Sequence, residues 1–269
     1  MMRSQSAPAV ASRYDRIIVL VLLVAVTLLA WAYTVHQAHV MRAMAVHMGP
    51  DMGMPMSGEP SWTGLGTLLM AVMWAVMMAA MMVPGTSPMV TAFAAINRRR
   101  RERDAPYVPT AMFLAGYLVV WAGFAILATA VQWMLQRLGF LTEMMQSASY
   151  YLSASLFLAA GLYQFSPLKQ RCLAYCRSPE GFILSEWRDG MLGAVVMGLR
   201  HGLFCLGCCA WLMALLFAIA VMDLRWVAAL TVMVTAEKLL PWPRLWRLGI
   251  GAGLIAIGLS FAFAGFTHA

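Results

Sequence analysis

The residues best able to do chemistry lie in one apolar stretch, His201-Gly202-Leu203-Phe204-Cys205-Leu206-Gly207-Cys208-Cys209. At about 100° per residue on a helix, His201, Cys205, Cys208 and Cys209 share a stripe about 120° wide with Met197, one turn earlier. Soft thiolate and thioether ligands select Cu(I), with zinc or iron–sulfur chemistry as the other options. A single cysteine in such a helix is ordinarily a small packing residue. Three within five residues, in phase with a histidine, point to a metal.

Three further groups carry the same chemistry. Met70, Met73, Met77 and Met81 are spaced three, four and four apart, which puts them within about 80° of one helix face. Met78 and Met82 flank that stripe. Thioethers are neutral ligands suited to Cu(I), although a methionine stripe also packs well as plain core. Between His36 and Met56 come His36, His39, Met41, Met44, His47, Met48, Asp51, Met52, Met54 and Met56. Gly and Pro hold the end of this segment open, and Met with His offers soft ligands where cysteine would oxidise. Cys172 and Cys176, one helical turn apart, sit among Lys169, Arg171 and Arg177. Neighbouring cations favour the thiolate. The pair reads either as a docking site for metal on the cytosolic side or as two idle reduced thiols.

The elements that must position these groups follow from composition. The chain has 269 residues, of which 62% are hydrophobic and 11% charged, with 24 Met and 5 Cys. A soluble domain is about 45–50% apolar and about 25% charged. The excess excludes a soluble enzyme, a disordered chain and a disulfide-stapled module. Low average hydropathy is the mark of an outer-membrane barrel, and here mean hydropathy is +0.75. An all-α, polytopic helical membrane protein with about seven transmembrane helices and a cytoplasmic N-terminus is expected. The apolar runs are 17–35, 64–96, 110–135, 148–166, 191–222, 226–240 and 246–266. The organisation is a cytoplasmic tail 1–16, a first span 17–35, an extracytoplasmic Met/His-rich loop 36–61 and a six-span core 62–269. Ala30-Trp31-Ala32 has the form of a signal cleavage site, but the preceding apolar core is long for a signal peptide, so the span is read as retained.

Alternate loops sort the 19 Lys and Arg as 15 on one side and 3 on the other, with Arg200 inside a span. That is a strong positive-inside signal. It accounts for the net charge of +8 without a nucleic-acid partner. Two runs, 64–96 and 191–222, exceed the about 20 residues of one crossing. The first contains Pro84, Gly85 and Pro88, the second four glycines, so both are expected to tilt hard, break or lie partly in the interface. Broken spans are a common setting for ion sites. A charge at mid-span such as Arg200 costs about 2.5–3.5 kcal/mol. Glu237 is the acidic residue inside a span, so an Arg200–Glu237 pair is expected, unless Glu237 and Lys238 merely snorkel to the interface.

The sequence also shows no phosphate-gripping glycine loop, nucleophile–base pairing or paired carboxylates, so an enzyme is not expected. A pump driven by ATP needs a soluble domain that the chain lacks. Several motifs resemble a bacterial family of predicted metal-binding integral membrane proteins, some of them copper-chaperone-like. These are Trp74-x-x-Met77, Met81-Met82-x-Pro84 and Gly161-x-Tyr163-Gln164-x-x-Pro167-Leu168-Lys169-x-x-Cys172-x-x-x-Cys176-Arg177. They continue with Trp187-Arg188-x-Gly190, His201-Gly202-x-x-Cys205-x-Gly207-Cys208-Cys209 and Glu237-Lys238-x-x-Pro241. One departure is Ala210, inserted before Trp211 where the family pattern runs from the cysteines straight into Trp.

The resemblance implies metal binding in the membrane and, for some members, copper delivery to secreted copper enzymes. Together with the ligand chemistry it gives an expected Cu(I)-binding protein of the bacterial inner membrane. Other soft ions remain possible cargo, and the expected partner is an extracytoplasmic copper enzyme or small copper carrier. The alternatives are a copper transporter, and a structural or thiol-redox membrane subunit.

Overall fold

The computed structural model describes residues 7–47, 63–101, 108–142, 147–219, 221 and 223–267. They form ten helices: α1 Ala7–His47, α2 Gly64–Arg101, α3 Thr110–Arg137, α4 Tyr150–Tyr163, α5 Pro167–Arg177, α6 Pro179–Glu186, α7 Gly190–Ala214, α8 Leu216–Ile219, α9 Leu224–Leu239 and α10 Pro243–Thr267. Five of these, α1, α2, α3, α7 continuing through α8, and α10, contain segments long and apolar enough to cross a membrane. The protein is therefore an all-helical membrane protein. The other two expected spans, α4 and α9, are helices of 14 and 16 residues. At 1.5 Å per residue they extend about 21 and 24 Å, short of the roughly 30 Å hydrocarbon core.

The helix α1 does not stop at Val35. It runs on through His36 and His39 to His47, because Ala38, Met41, Ala43 and Met44 are good helix formers and the first breakers are Gly49 and Pro50. The methionines Met48, Met52, Met54 and Met56 and the side chain of His47 lie outside the described residues.

Of the three outcomes expected for the long run of α2, a break does not occur, since Pro84 and Pro88 lie inside one helix. Each proline removes a backbone donor and orphans the carbonyl four residues earlier. Here side chains replace both donors. Trp31 Nε1 on α1 donates to the Ala80 carbonyl at 3.1 Å, and Ser87 Oγ donates to the Pro84 carbonyl at 2.8 Å. Neighbouring helices and hydroxyls restore such bonds commonly in membranes.

At the centre of the bundle is α7, with 56% of its most apolar window buried, against 17% for α1 at the periphery. It fits against α3 through glycines. A Cβ on Gly198 would lie 2.0 Å from the Phe113 carbonyl oxygen, and one on Gly116 2.2 Å from that of Val195. Only bare backbone permits this approach, which is how small residues let membrane helices associate. On the far side α4 lies along α10. Of the short helices, α5 packs on α7, and α6 packs on α5 and α2.

Candidate metal centre

The three thiols of α7 converge. Cys205, Cys208 and Cys209 are buried, and their sulfurs all lie within 4.8 Å of one another. Metal–sulfur bonds of about 2.3 Å allow two ligand sulfurs on one ion to be up to about 4.6 Å apart. The cluster therefore closes on one ion with small rotamer changes. Cys208 Sγ and Cys209 Sγ now donate to the Cys205 carbonyl at 3.0 and 2.8 Å, and a metal would take the place of those protons.

The cysteines of α5 lie beside this cluster. The nearby Cys205 and Cys208 thiols, together with burial, push the Cys176 thiol well above the usual thiol range. Burial, with the nearby Cys208, also pushes the Cys172 thiol up. A Cβ on Gly207 would lie 2.7 Å from Cys172 Sγ, so Gly207 is the notch that admits Cys172. All five cysteines are buried and unpaired. Two motifs some 30 residues apart are thus brought side by side, the three-thiol group on a transmembrane helix and two further thiols on the short helix packed against it.

The methionine nearest the thiols is Met82, whose Sδ lies 3.9 Å from Cys209 Sγ. Met73, Met77 and Met81 are buried in the same apolar cluster. The stripe is therefore continuous with the thiols, and its contact runs through a residue at its flank. Farther along α2, Met70 Sδ accepts from Gln132 Nε2 at 3.6 Å, and Gln132 Oε1 accepts from Trp74 Nε1 at 2.8 Å.

His201 and Met197 stand apart from the cluster. His201 Nε2 is hydrogen-bonded with Thr86 Oγ1 at 2.9 Å, its ring stacks on Phe113 and Tyr117, and its buried Nδ1 has no partner. Met197 belongs to a different apolar cluster, and its sulfur accepts the Arg188 N–H at 3.4 Å. Sharing a stripe did not bring it to the thiols. Eight residues along a helix is about 12 Å, too far for one ion.

The expected Arg200–Glu237 pair does not form. Arg200, part-exposed, pairs with Glu186 on α6. Glu237 pairs with Lys169 of α5 at 2.8 Å, and both side chains are almost completely buried. Span assignment hid Lys169, which the charge count had placed in a loop; α5 folds back into the bundle and carries it inward. The guanidinium of Arg177 completes this corner by donating to the carbonyls of Glu237 and Leu240 at 2.5 and 2.7 Å.

Two more residues touch the centre that sequence reasoning did not single out as site residues. Lys238 Nζ donates to Cys205 Sγ at 3.1 Å, and Tyr117 Oη lies 3.2 Å from the same sulfur. The signal for Lys238 was a buried-looking Glu-Lys step in an apolar run; nothing marked Tyr117 among the other aromatics of α3. Three thiolates around a monovalent cation leave a net negative site. An ammonium beside one sulfur offsets part of it, and such fixed charges belong in the electrostatics of any metal site. His36 and His39 are both exposed on α1.

A family profile described as PpoB2, copper chaperone, matches residues 71–261 of the chain. The matched stretch contains every thiol described above and excludes the His/Met segment of α1 and beyond. No curated protein and no solved structure matches the chain.

Proposed function

The chain belongs to the PpoB2 copper chaperone family, and on that premise we propose that it holds Cu(I) in the bacterial inner membrane and delivers it to copper enzymes outside the cytoplasm. The observation that carries this reading is the convergence of five thiols from α5 and α7, with a methionine sulfur beside them and a lysine at Cys205. Soft ligands of this kind select Cu(I) over harder ions.

Each group then has a task. Cys172 and Cys176, on the short helix, are the way in from the basic end of the bundle. Cys205, Cys208 and Cys209 are the holding site. Met82, followed by Met81, Met77 and Met73, offers thioethers in the direction of the other end of α2. There the histidines of α1 and Met48, Met52, Met54 and Met56 are the delivery arm. Ligands grow weaker and more resistant to oxidation along this order, which favours release outward.

The test is anaerobic purification with Cu(I) and measurement of bound copper. Wild type is expected to hold copper, and the Cys205→Ser/Cys208→Ser/Cys209→Ser variant to lose it. A chain lacking residues 48–56 is expected to keep it and fail to pass it on to an acceptor. A wild type without copper sinks the reading. Sealed vesicles separate delivery from transport: bound copper that never crosses supports the chaperone, and uptake into the lumen overturns it in favour of a transporter.

A further inference from the structure

A cleft of about 620 Å³ opens between the last turns of α2, the start of the apolar part of α1 and the α5–α6 junction. Its lining contains no cysteine, histidine or methionine, so the soft-metal chemistry above does not extend to it. What it presents is guanidinium: Arg98, Arg99 and Arg177, against one carboxylate, Glu180. Arg177 spends its donors on two neutral carbonyls, which leaves its charge uncancelled. The eight-residue helix α6 begins at this cleft, and Ser178 gives it no side-chain cap. Its positive end thus adds to the field there. The lining also has an apolar part, formed by Val19 of α1 and Ala92 and Ala95 of α2.

Guanidinium groups match the geometry and charge of phosphate oxygens. A free inorganic anion has no use for an apolar wall, whereas a phospholipid has both a charged head and a chain. Basic pockets between membrane helices at the cytoplasmic side are sites of that type. We propose that this cleft binds the phosphate of an anionic phospholipid, with the headgroup at Arg98, Arg99 and Arg177 and an acyl chain along Val19 and Ala92. The site is separate from the thiols and needs no copper.

The test uses the full chain in detergent, with phosphatidylglycerol, phosphatidylcholine or inorganic phosphate added, and native mass spectrometry to count retained ligand. One phosphatidylglycerol is expected to stay bound where phosphatidylcholine does not. Arg98→Gln/Arg99→Gln is expected to weaken retention by about thirtyfold, at roughly one factor per lost cation. Arg98→Lys/Arg99→Lys is expected to keep most of it. Arg244→Gln, a basic position that does not line the cleft, is expected to leave it unchanged. If the double variant does not fold, the single Arg99→Gln, at an exposed position, is expected to weaken retention about fivefold. Equal retention of both lipids, no response to loss of the arginines, or displacement by inorganic phosphate at concentrations comparable to the lipid overturns the proposal.

Discussion

Glu237 and Lys238 are neighbours in sequence, yet they serve different partners. On a helix consecutive side chains point about 100° apart, so Glu237 meets Lys169 while Lys238 meets Cys205. Removing one member of a buried pair leaves an uncompensated charge and costs about 3–5 kcal/mol. Glu237→Gln is therefore expected to lower the unfolding temperature sharply in detergent. Lys169→Met/Glu237→Leu is expected to recover most of the loss, since apolar replacement of a whole buried pair is often neutral. At Lys238 the effect belongs to binding. A hydrogen bond to a charged group is worth about 1.5–3 kcal/mol, so Lys238→Met is expected to weaken Cu(I) affinity by about 10- to 100-fold in competition with a Cu(I) chelator. An unchanged affinity would mean that the ammonium merely fills space. The sequence made the thiols legible because Cys205, Cys208 and Cys209 are close along the chain. It hid Lys169, Lys238 and Tyr117 because their roles depend on which helix packs opposite, and periodicity on a single helix carries no such information.

At the scale of elements, two readings of the same residues diverged. Proline made a break one of three outcomes for α2, and the structure keeps the helix whole because Trp31 and Ser87 supply the missing donors. Such a repair is tertiary and cannot be read from the run itself. Of the four glycines of α7 that offered a second break, Gly198 and Gly202 instead mark where α7 meets α3, and Gly207 admits Cys172. This gives a sharp test. In Gly198→Ala the new methyl meets the Phe113 carbonyl at 2.0 Å, a backbone atom that can move only with its helix. Overpacking costs about 1–3 kcal/mol and more when backbone must shift, so this variant is expected to lose monodispersity on size exclusion and most of its bound copper. Gly123 on the same helix α3 faces open space. Gly123→Ala is expected to be neutral or to stabilise by up to about 1 kcal/mol through helix propensity. If both variants behave alike, the close approach of α3 and α7 is wrong.

At the scale of the whole molecule, the open question is how often the chain crosses. Length admits five spans, whereas the sequence pattern expects seven. The directions of the helices argue for the larger number. From Phe113 through Gly116 to Val120, α3 passes Gly198, Val195 and Leu199, then Gly202, so α3 and α7 run broadly parallel. We propose that the chain returns across the membrane between them through α4. It lies antiparallel to α10, with Tyr150 beside Gly265, Leu158 beside Gly258 and Phe165 beside Gly251. On that proposal α10 runs parallel to α7, and the second return falls to α9. Short helices manage a crossing when partners shield their ends or the bilayer thins locally. This topology also keeps each cluster of basic residues on one side, in line with the positive-inside rule. Reporter fusions decide it. With seven crossings, a fluorescent protein fused near Ser178 is expected to glow in the cytoplasm, and alkaline phosphatase fused at Asp223 to be active outside. If α4 and α9 do not cross, both signals invert. Cys172 and Cys176 would then face the oxidising side, where exposed thiols do not last, and the inward capture of copper would lose its entrance.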